Sequence, residues 1–220
     1  MARGRGKAGG KLVRAALKHL RRPKTRLARR PFRQPGNVNG NWRLGPKAIR
    51  HRRVARLTGD DYKPYGNQSP EDFLKTHWDD KADSWKYPEH EGFATRTTPS
   101  GAVEADSRAV ALTPGERIDR FGAENGQYMS PDGTPFEKRA LPPSNLGQPP
   151  GDTAPHGYHR YEVVQPFAVD SGPIAPAFNQ PGGGIQHVLR GKLIPGAPAD
   201  VNVDWLVKNG FLRRLPLGVH

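Results

Sequence analysis

Arg117-Ile118-Asp119-Arg120-Phe121-Gly122 and, a few residues on, Gln127-Tyr128-Met129-Ser130-Pro131-Asp132-Gly133 decide the fold class. Residues 117–121 and 127–129 read as two short extended segments with a Gly-rich turn between them, and Asp132-Gly133 marks a tight turn behind Ser130-Pro131. Downstream, residues 158–164 alternate as a strand does, and residues 185–189 form another candidate. Beyond the basic N-terminal part, helix signals are confined to two places. Ser69-Pro70-Glu71-Asp72 supplies an N-cap, a first-turn proline and an acidic third position ahead of Phe73, Leu74 and Trp78. Asn202 caps a short segment carrying Val203, Leu206 and Val207, which Gly210 ends. Strand follows strand with no βαβ alternation and no fixed-period repeat. The reading is therefore an α+β domain: a mostly antiparallel β-sheet core with a few short helices, over about 150 residues. Between the first helix and the first strand, Trp85, Tyr87 and Phe93 are expected as packing anchors along an irregular path.

Charge divides the chain more sharply than pattern does. Of its 220 residues, 35 are Lys or Arg and 21 are Asp or Glu, for a net +14. Residues 1–70 hold 20 of the basic and only 2 of the acidic ones, so the remainder is slightly acidic. We expect a basic, largely disordered N-terminal arm over residues 1–68 and a folded domain over residues 69–220. The arm has too few large apolar side chains to offset its ordering entropy. Its one amphipathic stretch is residues 11–22, where Leu12, Val13, Ala16, Leu17 and Leu20 at helical spacing predict a short basic helix that Pro23 stops. Three uses stay open: a linker or delivery segment that contacts polyanions, an acidic partner, or nucleic acid, although no groove-reading motif accompanies the charge. The absence of Cys excludes disulfides, thiolate metal sites and a Cys nucleophile. No apolar run approaches the roughly 20 residues of a membrane span. Arg14, Lys18 and His19 interrupt residues 12–20, so a Sec-type signal peptide is not expected.

The chemistry-bearing residues sit in loops rich in Gly and Pro: Asp119-Arg120-Phe121-Gly122, then Glu137-Lys138-Arg139-Ala140-Leu141-Pro142-Pro143, then Gln180-Pro181-Gly182-Gly183-Gly184-Ile185-Gln186. Such loops bring backbone close to a ligand. The Gly triplet is a candidate phosphate nest, but it matches neither the dinucleotide fingerprint nor the P-loop.

Taken in order, T-P-G-E-R-I-D-R-F-G, G-Q-Y-M-S-P-D-G-T-P-F-E-K-R-A-L-P-P, Y-H-R-Y-E-V and G-P-I-A-P-A-F-N-Q-P-G-G-G-I-Q, with D-F-L-K-T-H-W-D upstream and L-V-K-N-G-F-L at the end, resemble the NAD glycohydrolase family named after tuberculosis necrotizing toxin. The resemblance covers residues 69–215 and omits the basic arm. It implies hydrolysis of the nicotinamide–ribose bond of NAD, and of NADP if an Arg meets the adenosine ribose, with NAD as substrate and no separate cofactor. Nicotinamide already carries positive charge in NAD and departs neutral, so the carboxylate pair of ordinary glycosidases is unnecessary.

By that resemblance Arg120 and Arg139 hold the pyrophosphate, a task for which a planar guanidinium is suited. Gln186 hydrogen-bonds the ribose hydroxyls or steers the attacking water. Gln180 is the alternative for that role, or else a turn-stabilising amide. His159 resembles a family histidine important for activity. Phe121 packs either on the nicotinamide ring or in the core. Residues 142–157 are a longer connection than the family's, or a lid. Some fungal relatives bind calcium, but Asp170, Asp200 and Asp204 are scattered and no metal site is expected. The resemblance further implies a toxin secreted or delivered into a target cell's cytosol and held in check by an immunity protein. Two other readings remain: an ADP-ribosyltransferase using the same site, and a basic nucleic-acid-binding protein with an inactive globular part.

Overall fold

Both expected helix caps form. Ser69 Oγ accepts from the Asp72 N–H at 3.1 Å and opens α2 (Pro70–His77); Asn202 Oδ1 accepts from the Trp205 N–H at 2.9 Å and opens α3 (Val203–Lys208). A further helix, α1 (Arg52–Thr58), precedes them. The computed structural model describes residues 32–217, so the amphipathic stretch at 11–22 lies outside the described residues.

Strand pairing organises the rest. β1 (Trp78–Asp79) pairs with β2 (Ser84–Trp85), and β3 (Thr95–Thr97) with β4 (Val103–Ala105). A seven-stranded sheet takes in β5 (Arg108–Leu112), β6 (Arg117–Phe121), β7 (Tyr128–Pro131), β8 (Tyr158–Val163), β9 (Phe167–Pro173), β10 (Ile185–Val188) and β11 (Leu212–Arg214). Its order is β11-β8-β6-β7-β10-β9-β5, with every pairing antiparallel. The four strands read from sequence are present with ends shifted by no more than a residue or two. β5, β9 and the three-residue β11 were not anticipated. β5 is an edge strand with most of its side chains exposed, so it lacks a hydrophobic stripe, and β9 runs into Gly172-Pro173.

Alternation places the core. Ile118, Tyr161, Val163 and Val169 face Val203 and Leu206 of α3, while Phe121 and Tyr158 face Phe136, Leu146 and Val54. A third cluster joins Phe73 of α2 to Trp78, Trp85 and Phe178.

Val54 corrects the expected domain boundary. It is fully buried, and the Leu57 carbonyl accepts from the Phe136 N–H at 2.8 Å, so α1 is part of the domain core. The compact unit runs from Phe32, not Ser69. His156, also fully buried, confirms the attachment: its Nε2 accepts from the Arg50 N–H at 3.1 Å, which leaves Nδ1 to donate to the Leu146 carbonyl at 2.9 Å. Arg52, Arg53 and Arg56 disguise α1 as solvated chain, because a seven-residue helix needs only Val54 and Leu57 to anchor it. Among the described residues no helix is long and apolar enough to cross a membrane.

Candidate active site

Arg120 and Phe121 are neighbours on β6, so their side chains leave opposite faces of the sheet. Both nevertheless line one cleft, because β6 and β7 pair only through Ile118↔Pro131 and Asp119↔Ser130. Past Asp119, β6 continues against β8 while β7 turns to β10, and the sheet splits. The split holds a cleft of about 450 Å³ walled by Arg120, Phe121, Tyr128, Arg139 and Gln186.

Arg120 bridges the opening. Its Nε donates to the Gly122 carbonyl at 3.2 Å and its Nη1 to the Tyr128 carbonyl at 3.1 Å. Both acceptors are neutral. Burial pushes its pKa below the ordinary arginine value, with Tyr161, Glu124 and Asp152 opposing that shift. A buried guanidinium held by carbonyls alone retains its charge for an incoming anion. Gly126 makes room for it: a Cβ there would lie 2.2 Å from Nη2.

Arg139 is held differently. Its Nε and Nη2 donate to the Thr134 carbonyl at 3.0 and 2.8 Å, and Nη2 lies 2.7 Å from Asp119 Oδ1. Asp119 is fully buried and also accepts from the Tyr158 hydroxyl at 2.6 Å and the Gly133 N–H at 2.9 Å. The Arg139 charge is therefore matched inside the protein, and its guanidinium carbon sits 5.2 Å from the Phe121 ring centroid. Phe121 packs on Tyr158 and Phe136 in the core, one of the two uses expected of it, and also lines the cleft.

The Gly triplet is not an anion nest. The N–H groups of Gly182, Gly183 and Gly184 donate to the carbonyls of Glu137, Ile174 and Lys138 at 3.4, 2.8 and 2.9 Å. A Cβ at Gly184 would come within 2.6 Å of the Lys138 carbonyl oxygen. The triplet thus fastens β10, which carries Gln186, to the turn that carries Arg139. Gln186 is buried, and its Nε2 donates to the Glu91 carbonyl at 3.1 Å.

Two expected site residues stand apart from the cleft. Gln180 Nε2 donates to the Lys63 carbonyl at 3.0 Å, so its amide tethers a turn to residues before α2. His159 is opposite Arg120 in the β6–β8 register, but β8 flanks β6 on the side away from the split. It lines a second pocket of about 560 Å³, where its Nε2 lies 2.7 Å from Asp152 Oδ2, beside Glu124 and Arg214. The sequence reading missed Tyr128, Asn145 and Glu91 as cleft residues, and it took Tyr87 for a packing anchor. Trp85 and Phe93 are buried as expected, whereas Tyr87 and Tyr128 are 56% and 43% exposed at the cleft. An exposed aromatic in a strand, Tyr128 between Gln127 and Met129, was the available signal. Among the described residues no group of three or more His, Cys, Asp or Glu is placed to hold a metal ion.

Comparison with known proteins bears on this arrangement. The model of the tuberculosis necrotizing toxin family matches residues 111–215. Over 186 residues the chain is 36% identical to the conidial surface nicotinamide adenine dinucleotide glycohydrolase of Aspergillus fumigatus, covering 84% of this chain and 73% of that protein. The solved structure of tuberculosis necrotizing toxin complexed with its immunity factor matches with a TM-score of 0.56 at 21% identity, covering 84% of this chain and 92% of that one, a likeness of fold. The family match takes in β6, β7, β8 and β10, the strands that frame the split, and the chain belongs to the tuberculosis necrotizing toxin family.

Proposed function

We propose that this NAD glycohydrolase holds its substrate in the split of the sheet, with the pyrophosphate on Arg120 and Arg139 and the nicotinamide ribose against Gln186. The observation that carries the reading is the convergence of those three side chains, from β6, a 3-10 turn and β10, on one cleft of about 450 Å³. That volume lies within the range of small-molecule sites. Arg120 supplies the uncompensated charge. Arg139 presents the rim of an already neutralised pair. Tyr87 and Tyr128 offer exposed ring faces at the cleft for the bases.

The reaction needs little proton chemistry. The C1′–N bond breaks with its electron pair passing to the nicotinamide nitrogen, which becomes neutral. Water bonds C1′ and gives its proton to solvent, leaving ADP-ribose. Between those events the ribose resembles an oxocarbenium ion. Gln186, with its N–H side committed to the Glu91 carbonyl, turns its Oε1 toward this sugar as an uncharged acceptor for a ribose hydroxyl or for the water. Holding both ends of the dinucleotide fixes the labile bond between them.

The decisive measurement is nicotinamide release from NAD by the purified chain, beside Arg120→Ala and Gln186→Ala. Each substitution should cost about ten- to a hundredfold in kcat/KM, the worth of a charge-assisted or transition-state hydrogen bond. Parental rates in both would overturn the placement. Labelled NAD should yield free ADP-ribose; label on protein would signal a transferase. A chain starting at Phe32 should keep full turnover, which a nucleic-acid-binding role for the basic segment does not require.

As a toxin, the protein acts on the NAD of a target cell's cytosol after delivery, its basic residues 1–31 contacting polyanions on the way. The relative solved with an immunity factor supports the further reading that a dedicated immunity protein binds this domain in the producing cell.

A further inference from the structure

We infer that Arg190 is a positioning residue for this reaction: it grips the Glu91 carboxylate so that the Glu91 backbone carbonyl fixes the Gln186 amide. The inference rests on the placement of Gln186 proposed above. Gln186 and Arg190 lie four residues apart on one extended segment, with Arg190 at φ −132°, ψ 118°, so both side chains leave the same side of it. They converge on a single residue. Gln186 Nε2 donates to the Glu91 carbonyl at 3.1 Å, Arg190 Nη1 donates to Glu91 Oε1 at 2.8 Å, and Arg190 Nη2 contacts Glu91 Oε2. Arg190 is braced from behind, its Nε donating to Asp170 Oδ2 at 2.7 Å on β9.

Glu91 needs holding. His90 and Glu91 have φ of 53° and 56°, a left-handed conformation that side chains other than glycine adopt at a cost and keep only when their surroundings impose it. The two-point guanidinium contact restrains it beside the turn's own backbone bonds, Gly92 N–H to the Glu89 carbonyl and Phe93 N–H to the His90 carbonyl, both at 3.1 Å. The consequence at Gln186 is specific, because a backbone carbonyl only accepts hydrogen bonds. It therefore orients the amide unambiguously, Nε2 toward Glu91 and Oε1 away, and it disfavours a carboxylate at position 186. Arg190 does not itself line the cleft; it meets the cleft through Glu91, which does.

Steady-state NAD hydrolysis by the full chain tests this with Arg190→Ala, Gln186→Ala and the double variant. Arg190→Ala should lower kcat about tenfold with KM within about twofold, the cost of a misplaced rather than a missing group. The double variant should be no slower in kcat than Gln186→Ala, because the positioning role of Arg190 runs through that amide. Glu91→Gln, which keeps the carbonyl and the side-chain shape while removing the charge, should lower kcat about threefold and serves if Arg190→Ala does not fold. Parental kcat in both Arg190→Ala and Glu91→Gln, or a double variant slowed by the product of the single effects, overturns the positioning role. A parental rate for Gln186→Ala overturns the site reading and this inference together, whereas a slow Gln186→Ala beside a parental Arg190→Ala overturns the inference alone.

Discussion

Two cavities adjoin β6, one on its β7 side and one on its β8 side, and they treat charge in opposite ways. On the β8 side the polar groups answer one another: the Arg214 and Arg160 guanidiniums rest on Glu124 and Asp132, and His159 lies 2.7 Å from Asp152. On the β7 side, Arg120 is held by two carbonyl oxygens and has no carboxylate in direct contact among the described residues. The two are of comparable size, about 560 and about 450 Å³, so size does not tell them apart. An anion gains more from a desolvated cation whose charge is still available than from a roomy pocket whose charges already answer one another.

The two arginines of the cleft carry the same contrast at shorter range, and separating them gives the largest expected effect. Arg139→Ala removes the one cation paired with fully buried Asp119 among the described residues, and an orphaned buried charge costs about 3–5 kcal/mol. Arg120→Ala orphans no carboxylate and should cost stability only about 1 kcal/mol, the worth of its carbonyl hydrogen bonds. Urea unfolding of both variants reads this directly. Equal losses would erase the distinction between a structural and a ligand-facing guanidinium.

A smaller effect probes how Arg120 is aimed. Gly126→Ala places a methyl where Nη2 now sits, so the guanidinium must move away from the opening it spans. The KM for NAD should rise about tenfold, by loss of a charge-assisted contact, with a lesser change in kcat. An unaltered KM would mean that the pyrophosphate is not held from that position.

Much of this architecture was legible before any coordinates. Ser69 and Asn202 announced their helices because a capping side chain satisfies a donor whatever surrounds it. β8 announced itself by alternation, and β6, β7 and β10 as short extended segments bounded by Gly-rich turns. α1 did not, since three arginines on seven residues outweigh Val54 and Leu57 in any compositional reading, and burial of those two depends on Phe136 and Leu146 far along the chain. The site shows the same limit. Arg120, Arg139 and Gln186 were nameable, but that β6 leaves β7 after two pairs, opening the cleft beside Arg120 and away from His159, is a property of register. The Gly triplet misled for a related reason. Its glycines suit an anion nest, yet neighbouring carbonyls take all three N–H groups.

His159 offers the smallest effect and the sharpest test of the division between the cavities. Its imidazole meets Asp152 and lies 3.9 Å from Glu124, and those two carboxylates are among the groups that act on Arg120. Removing the imidazole reaches the cleft only through that indirect field, which partial solvent access weakens. His159→Gln should therefore lower kcat/KM by less than about tenfold, below the loss for Arg120→Ala, because it touches no bound group. It should also speed amide exchange in residues 148–154, which lose the Asp152 tether to β8. A loss as large as that of Arg120→Ala would break the comparison: the β8-side pocket would then belong to the active site, and part of the chemistry would run across β6 rather than within the split.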